Sequence, residues 1–274
     1  MSEPVLEVRG LTFTYSDGTR ALSGVDLAVG PGERLAIIGQ NGSGKSTLVR
    51  HFNGLLRATD GQVDVAGQPV GRRHVAELAR TVGISFQNPD RQIFAGSVRA
   101  EVGFGPRNLG LRGKELDTAV RSALEMVGLA DELETNPYDL GYSRRKLLSI
   151  ASVLAMGTAV VVLDEPTTGQ DARGVATIEA IVARLHAEGR TVIAISHDLR
   201  FVAEAFERVV VMRQGRVILD GPPDQVFAEE SWPALRSTNL EPPYAARFGA
   251  RLGLGSTATE ASVVAALAGR RDRG

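Results

Sequence analysis

The sequence predicts an α/β fold that is interrupted by a helical insertion and followed by a small appendage. Three observations carry this. Short apolar runs alternate with segments of helical period, no strong strand appears between about Pro89 and Met156, and the composition shifts past Gly221-Pro222-Pro223. A chain of 274 residues is long for one domain and short for two, which fits one main unit with an addition.

Val5–Val8, Gly24–Ala28 and Gln62–Ala66 are expected strands separated by Gly, Asp and Pro turns. Leu35–Ile38 is a compact apolar strand that runs straight into a glycine-rich segment, and Lys45–Leu55 then has helical spacing up to Asn53-Gly54. Within the insertion, Lys114–Val127 and Ser143–Leu154 are expected helices. Strands return at Ala159–Leu163, Thr191–Ile195 and Arg208–Met212, with a helix at Val175–His186 and a partner strand at Arg216–Asp220 after the Gln214-Gly215 turn. Beyond these, Asp224–Glu230 and Ser262–Ala268 are expected short helices, Glu241-Pro242-Pro243 a stiff break, and Arg270–Arg273 a solvated end.

Composition narrows the chemistry. Apolar content of 43% and charged content of 23% are those of a folded globular protein. A net charge of -1 gives no broad attraction to nucleic acid or anionic lipid. The absence of cysteine excludes disulfides, thiolate catalysis and thiolate metal sites, and fits a reducing compartment. No apolar run approaches the roughly 20 residues of a membrane span, and Met1-Ser2-Glu3-Pro4 lacks the pattern of a secretory signal. The chain is expected to be soluble and to meet a membrane only through a partner.

The segment Gly39-Gln40-Asn41-Gly42-Ser43-Gly44-Lys45-Ser46-Thr47 fits G-x4-G-K-[ST] and lies between an expected strand and an expected helix. Glycines let backbone N–H groups turn toward an anion without Cβ clashes, and the helix that follows aims its unpaired N–H groups at the same point. Lys45 can reach the outer phosphates of a nucleoside triphosphate, and the Ser46 hydroxyl can ligate Mg²⁺. ATP and Mg²⁺ are therefore the expected ligands. No Asn-Lys-x-Asp guanine-reading motif appears.

A second group of residues supports hydrolysis. The strand Ala159–Leu163 ends in Asp164-Glu165. In a phosphate-loop enzyme the first acid holds magnesium and the second polarises an attacking water. Thr191–Ile195 ends in Ser196-His197-Asp198, and if the two strands are neighbours His197 is carried toward the terminal phosphate.

Along residues 5 to about 225 the sequence resembles the ATP-binding subunits of ABC transporters. The resemblance implies a P-loop NTPase of the ABC type, with a RecA-like core, an antiparallel β subdomain and a helical subdomain at about 89–157. It also implies an ATP-binding domain over 1–225 and a C-terminal extension over 226–274. By the same resemblance Tyr15 stacks on adenine, Gln87 links magnesium and water to a transmembrane partner, and Asp171 is the D-loop acid. Asp164 and Glu165 match the magnesium acid and the catalytic base, and His197 the switch residue.

Phe86-Gln87-Asn88-Pro89-Asp90-Arg91-Gln92-Ile93-Phe94 is more narrowly similar to energy-coupling-factor importers, which take up vitamins or transition-metal ions. Tyr15-Ser16-Asp17-Gly18-Thr19 and the extension, a candidate dimerisation segment, fit as well. That likeness implies a second ATPase subunit, a transmembrane coupling protein, a membrane substrate-binding protein, and a place on the cytoplasmic face of the cell membrane. An ATPase of another importer type and an ATP-gated binding or assembly module with little turnover are the alternatives.

The resemblance breaks at one place. The family signature Leu-Ser-Gly-Gly-Gln acts on the nucleotide of the opposite subunit, and here it is Leu140-Gly141-Tyr142-Ser143-Arg144. The hydroxyl has moved by two residues, Tyr142 crowds a glycine position, and Arg144 or Arg145 is left to add charge. The D-loop leucine is replaced by Gln170. The expectation is a chain with an intact nucleotide site of its own that completes its partner's site weakly, and so a heterodimer. A homodimer that tolerates the variant signature is the other arrangement.

Overall fold

The computed structural model describes residues 3–271. Two sheets carry the fold. The strands are β1 (Leu6–Thr14), β2 (Arg20–Val29), β3 (Arg34–Ile38), β4 (Asp60–Val65), β5 (Gln68–Pro69), β6 (Val82–Ser85), β7 (Val160–Asp164), β8 (Thr191–Ile195), β9 (Arg208–Arg213) and β10 (Arg216–Gly221). The first sheet is antiparallel with order β2-β1-β4-β5, and the second has order β10-β9-β3-β8-β7-β6, parallel except for the edge strand β10.

The helices are α1 (Lys45–Phe52), α2 (Val75–Leu78), α3 (Val98–Asn108), α4 (Gly113–Met126), α5 (Tyr142–Leu154), α6 (Ala172–Ala187), α7 (Leu199–Ala205), α8 (Pro223–Val226), α9 (Trp232–Arg236), α10 (Tyr244–Arg251) and α11 (Glu260–Arg271). The parallel strands are apolar on both faces because both faces are covered: β7 and β8 are buried at every position. Side chains alternate along a strand, so Val161 and Leu163 enter the core with α5 and α6, whereas Val160 and Val162 enter the core shared with α1 and the antiparallel sheet. Among the described residues no helix is long and apolar enough to cross a membrane.

Several sequence expectations need correction. Strand β1 does not stop at Val8. A register shift between Val8 and Leu11, with Gly10 at φ 57°, carries it across the glycine to Thr14. Helix α3, for which the sequence raised no expectation, carries Gly103, Gly105 and Pro106 in its second half, and the Ser97 hydroxyl caps its start by accepting from the Ala100 N–H. The segment expected as one helix over Asp224–Glu230 breaks at Ala228 into α8 and a 3-10 turn at Glu229–Ser231. Arg270 is exposed, as expected of a solvated end, and its guanidinium donates to the Leu252 and Gly253 carbonyls. Residues 272–273 of that expected tail, and Met1-Ser2 at the other end, lie outside the described residues.

Candidate functional site: a phosphate-loop cleft at the ends of the parallel strands

Strand β3 points its C-terminal end into the loop 39–44, and α1 starts at Lys45. Two glycines there are fixed by geometry. A Cβ at Gly39 would stand 2.2 Å from the Met212 carbonyl oxygen, and one at Gly44 would stand 2.7 Å from the Ala21 carbonyl oxygen, with Gly44 already at φ 103°. The loop is tied down by Ser43 N–H donating to the Gln40 carbonyl at 3.1 Å and by Gly215 N–H donating to the Ser43 carbonyl at 3.0 Å. The Lys45 ammonium donates to the Gly39 and Gln40 carbonyls at 2.7 and 2.9 Å, arched over its own loop. Burial lowers the Lys45 pKa, and the charges of Glu165 and Asp164 pull it back up.

Strand β8 lies between β3 and β7, pairing Ile37 with Ile195 on one side and Asp164 with Ile195 on the other. The ends of three parallel strands thus stand level, which is where open α/β sheets bind ligands. The acids at the end of β7 face the loop. A cleft of about 340 Å³ is lined by Asn41, Gly42, Gly44, Lys45, Ser46, Thr47, Gln87, Asp164, Glu165 and Ile195.

Asp164 is 5% exposed, and its Oδ1 has no hydrogen-bond partner. Burial pushes its carboxyl pKa up, against the lowering influence of the Ser46 hydroxyl and of the Lys146, Arg50 and Lys45 cations. A buried carboxylate with a vacant oxygen beside a serine hydroxyl is a donor pair suited to a hard divalent cation. Among the described residues no group of three or more His, Asp or Glu is placed to hold a metal ion by itself.

Glu165 is 6% exposed and adopts φ 50°, a left-handed conformation uncommon for a residue with a side chain. Its N–H donates to the Ile195 carbonyl at 2.9 Å. Its Oε2 is 2.7 Å from Nδ1 of His197 and also accepts from the His197 N–H at 3.3 Å. His197 is not among the residues lining the cleft and meets it through Glu165. Tyr15 stands at the flank of the loop, its hydroxyl 2.9 Å from that of Thr47 and its ring edge-on to Phe13. Gln87 lines both the cleft and a neighbouring groove of about 650 Å³ that includes Phe86, Asn88, Arg91, Tyr142 and Thr168.

The variant signature is arranged differently from the sequence expectation. Gly141 precedes α5, whose first turn has no side-chain cap. The Ser143 hydroxyl is not displayed: it donates to Oε1 of Gln170 at 2.8 Å, while Nε2 of Gln170 donates to the Ser143 carbonyl at 3.0 Å. Both arginines have ion-pair partners within the chain. Arg144 pairs with Glu132 at 2.7 Å, and Arg145 pairs with Asp90 at 3.0 Å and donates to the Leu140 carbonyl. The Tyr142 ring lies over Gly169, where a Cβ would come within 2.7 Å of it. Asp171 caps α6 by accepting from the Gly174 N–H at 2.8 Å. One departure from the signature, Ser143, and the D-loop departure, Gln170, therefore form a reciprocal pair.

Sequence reasoning missed Lys146. It is fully buried, and its ammonium donates to the Phe86, Gln87 and Asp164 carbonyls at 2.8, 2.9 and 2.9 Å. Burial brings its pKa down to about 8, opposed by the charges of Asp164 and Glu165. A signal was present: Lys146 shares helical spacing with Ile150 and Val153, which places it on the buried face. At the far side, Asn239 donates from Nδ2 to Oε1 of Gln40 at 3.0 Å, so the C-terminal segment touches the phosphate loop.

Comparison with known proteins gives a consistent picture. The profile of the family described as ABC transporter matches residues 22–168. A putative ABC transporter ATP-binding protein of Streptomyces avermitilis is 41% identical over 244 residues, spanning 89% of this chain and 91% of that protein. The energy-coupling factor transporter ATP-binding protein EcfA of Methanocaldococcus jannaschii is 40% identical over 246 residues, with 89% and 88% covered. Among solved structures, cbiO1 from Clostridium perfringens, described as part of the ABC transporter complex cbiONQ, superposes with a TM-score of 0.76 at 38% identity, covering 92% of this chain and 100% of that one. A dimeric ATP-binding cassette in a post-hydrolysis state with ADP and Pi shares the fold at a TM-score of 0.73 and 24% identity, covering 79% of this chain and 98% of that one.

Proposed function

The chain belongs to the ABC transporter family of ATPases, and on that premise we propose that it is the ATP-hydrolysing subunit of an energy-coupling-factor type importer for a vitamin or transition-metal ion. The observation that carries the hydrolytic assignment is the end of β7, where Asp164 keeps a vacant buried oxygen beside Ser46 and Glu165 is braced by His197.

In this reading Gly39, Gln40, Asn41, Gly42, Ser43, Gly44, Lys45, Ser46 and Thr47 cradle the phosphates, and Tyr15 flanks the base. An arriving triphosphate replaces the Gly39 and Gln40 carbonyls as partner of the Lys45 ammonium, so binding releases that cation from its own loop. Ser46, Asp164 and Gln87 would hold Mg²⁺, which when bound would neutralise charge on the phosphate oxygens. Glu165 orients a water and takes its proton, while His197 holds the carboxylate in place and faces the terminal phosphate when that phosphate is bound. The work is positioning and electrostatics rather than covalent catalysis. The domain division at about residue 225 and the helical subdomain over about 89–157 belong to the same proposal.

The partners we propose are a second ATPase subunit, a transmembrane coupling protein and a membrane substrate-binding protein, with this chain on the cytoplasmic face. The likeness to EcfA and to cbiO1 supports them. A heterodimer is favoured because the Ser143 hydroxyl and both arginines are already engaged within this chain. Turnover of the purified chain alone and mixed with its partner tests this: robust cooperative hydrolysis by the chain alone points to a homodimer instead. The same engaged signature is what favours the second reading, an ATP-gated module with little turnover. Uptake into vesicles that requires ATP but proceeds with Glu165→Gln would select that reading. The membrane proteins that co-purify with the chain from its host identify the transported substrate.

A further inference from the structure

Strands β6 and β7 run parallel and pair from Val82 with Val160 to Ser85 with Leu163, where their ladder ends. Beyond it Phe86-Gln87 leaves the sheet, whereas Asp164 still ends β7 and pairs only with Ile195 of β8, and Gln87 and Asp164 both line the cleft. Their carbonyls would be free to diverge there. Instead the Lys146 ammonium, arriving from α5, donates to the carbonyls of Phe86, Gln87 and Asp164.

An ammonium has three N–H donors and no acceptor, so this one is saturated. Its contacts bridge the two chain segments at the point where backbone pairing stops. Nearby, Gln92 reinforces the link: its Oε1 accepts from the Phe86 N–H at 3.0 Å, and its Nε2 donates to the Ser149 carbonyl on α5 at 2.8 Å. The loop bearing Gln87 is thus fastened to α5 at two points, and α5 through Lys146 to the end of β7.

An ammonium buried at 0% exposure costs more than a methionine of similar length in the same packing, unless the charge and its donors have a task. Among the described residues, the charges of Asp164 and Glu165 are the ones that act on it. We propose that Lys146 is a positioning residue for hydrolysis, a clamp that fixes the Gln87 loop against the end of β7 so that Gln87 and Asp164 face the nucleotide in one fixed relation. This rests on the ATPase reading of the cleft, but the clamp itself can be read without turnover.

The test uses the full chain with Lys146→Met, which removes all three donors, and Lys146→Gln, which keeps donors without charge. Amide hydrogen exchange across residues 86–92 and binding of a fluorescent ATP analogue in EDTA are measured on the chain alone, and steady-state hydrolysis on the chain mixed with its partner ATPase. The expected result for Lys146→Met is at least tenfold faster exchange over 86–92, unchanged exchange across β3 and β8, and analogue affinity within about twofold of the parent. Turnover falls at least tenfold with KM within about threefold, and Lys146→Gln lies between the two.

Folded variants with parent-like exchange at 86–92 and parent-like turnover overturn the proposal. Loss of cooperative melting in both variants overturns it as well, because Lys146 would then be holding the core and not the loop. A parent chain that fails to bind the analogue refutes the ATPase reading instead, and the exchange measurement still decides whether the clamp exists.

Discussion

The phosphate-loop cleft and the signature–D-loop edge are both built from loops at the ends of buried elements, yet their polar atoms are disposed in opposite ways. In the cleft, Asp164 keeps an oxygen without a partner, and the Lys45 ammonium rests on its own loop carbonyls, a partnership that a phosphate can replace. At the edge, Ser143 and Gln170 bond each other, Arg144 and Arg145 are paired within the chain, and Asp171 caps α6. Open valence marks a surface that awaits a ligand, and satisfied valence marks one that has been closed. The contrast teaches that sequence divergence at the edge is organised: the replacements answer each other.

The largest expected effect sharpens the open side. Glu165→Gln should lower hydrolysis by ~10²–10⁴-fold, the usual range for a general base, and leave ATP binding intact. Undiminished turnover would remove Glu165 from that role.

The next attacks the closed side. Restoring Gly141→Ser, Tyr142→Gly and Ser143→Gly together should raise turnover at the partner's site by up to ~10²-fold, the effect of one preorganised donor. No change in the mixed ATPase would mean that the edge is not limiting.

Smaller again is the coupling of Ser143 to Gln170. A double-mutant cycle of Ser143→Ala and Gln170→Ala, followed by denaturant unfolding, should give an interaction energy of about 1 kcal/mol. A coupling near zero would break the idea that these two replacements act as one. The smallest is Asp171→Ala, which removes a helix cap worth ~1 kcal/mol and should lower Tm by about 2–4 °C in a chain of this size. A hydrolysis defect well beyond that loss of stability would assign Asp171 a part in catalysis as well.

The open side was legible in the sequence because its chemistry is local. Gly39 to Thr47 is contiguous, and Asp164-Glu165 and Ser196-His197 each close an apolar run, so the residue types and their strand-end positions could be read directly. The closed side was only half legible. Substitution at Gly141–Arg144 and Gln170 could be seen, but the pairing of Ser143 with Gln170 spans 27 residues and depends on how α5 meets the loop before α6.

Lys146 was missed because a lysine is by default a surface residue, and the carbonyls that neutralise its burial come from segments 18 and about 60 residues away. Short β6 escaped notice because Gly83 interrupts its apolar run. The structure shows why that glycine is there: a Cβ would come within 2.6 Å of Val153 on α5.

The left-handed turn at Glu165 has a consequence for how such a chain can change over generations. At φ 50° the backbone there suits glycine, and a residue with a side chain gives up about 1 kcal/mol or more to hold it. A lineage selected for heat resistance alone would have a direct route to relief at this position. One that must keep turning over nucleotide would be barred from it. Stabilising changes should therefore accumulate elsewhere in the chain, and position 165 should be among the last to yield to them.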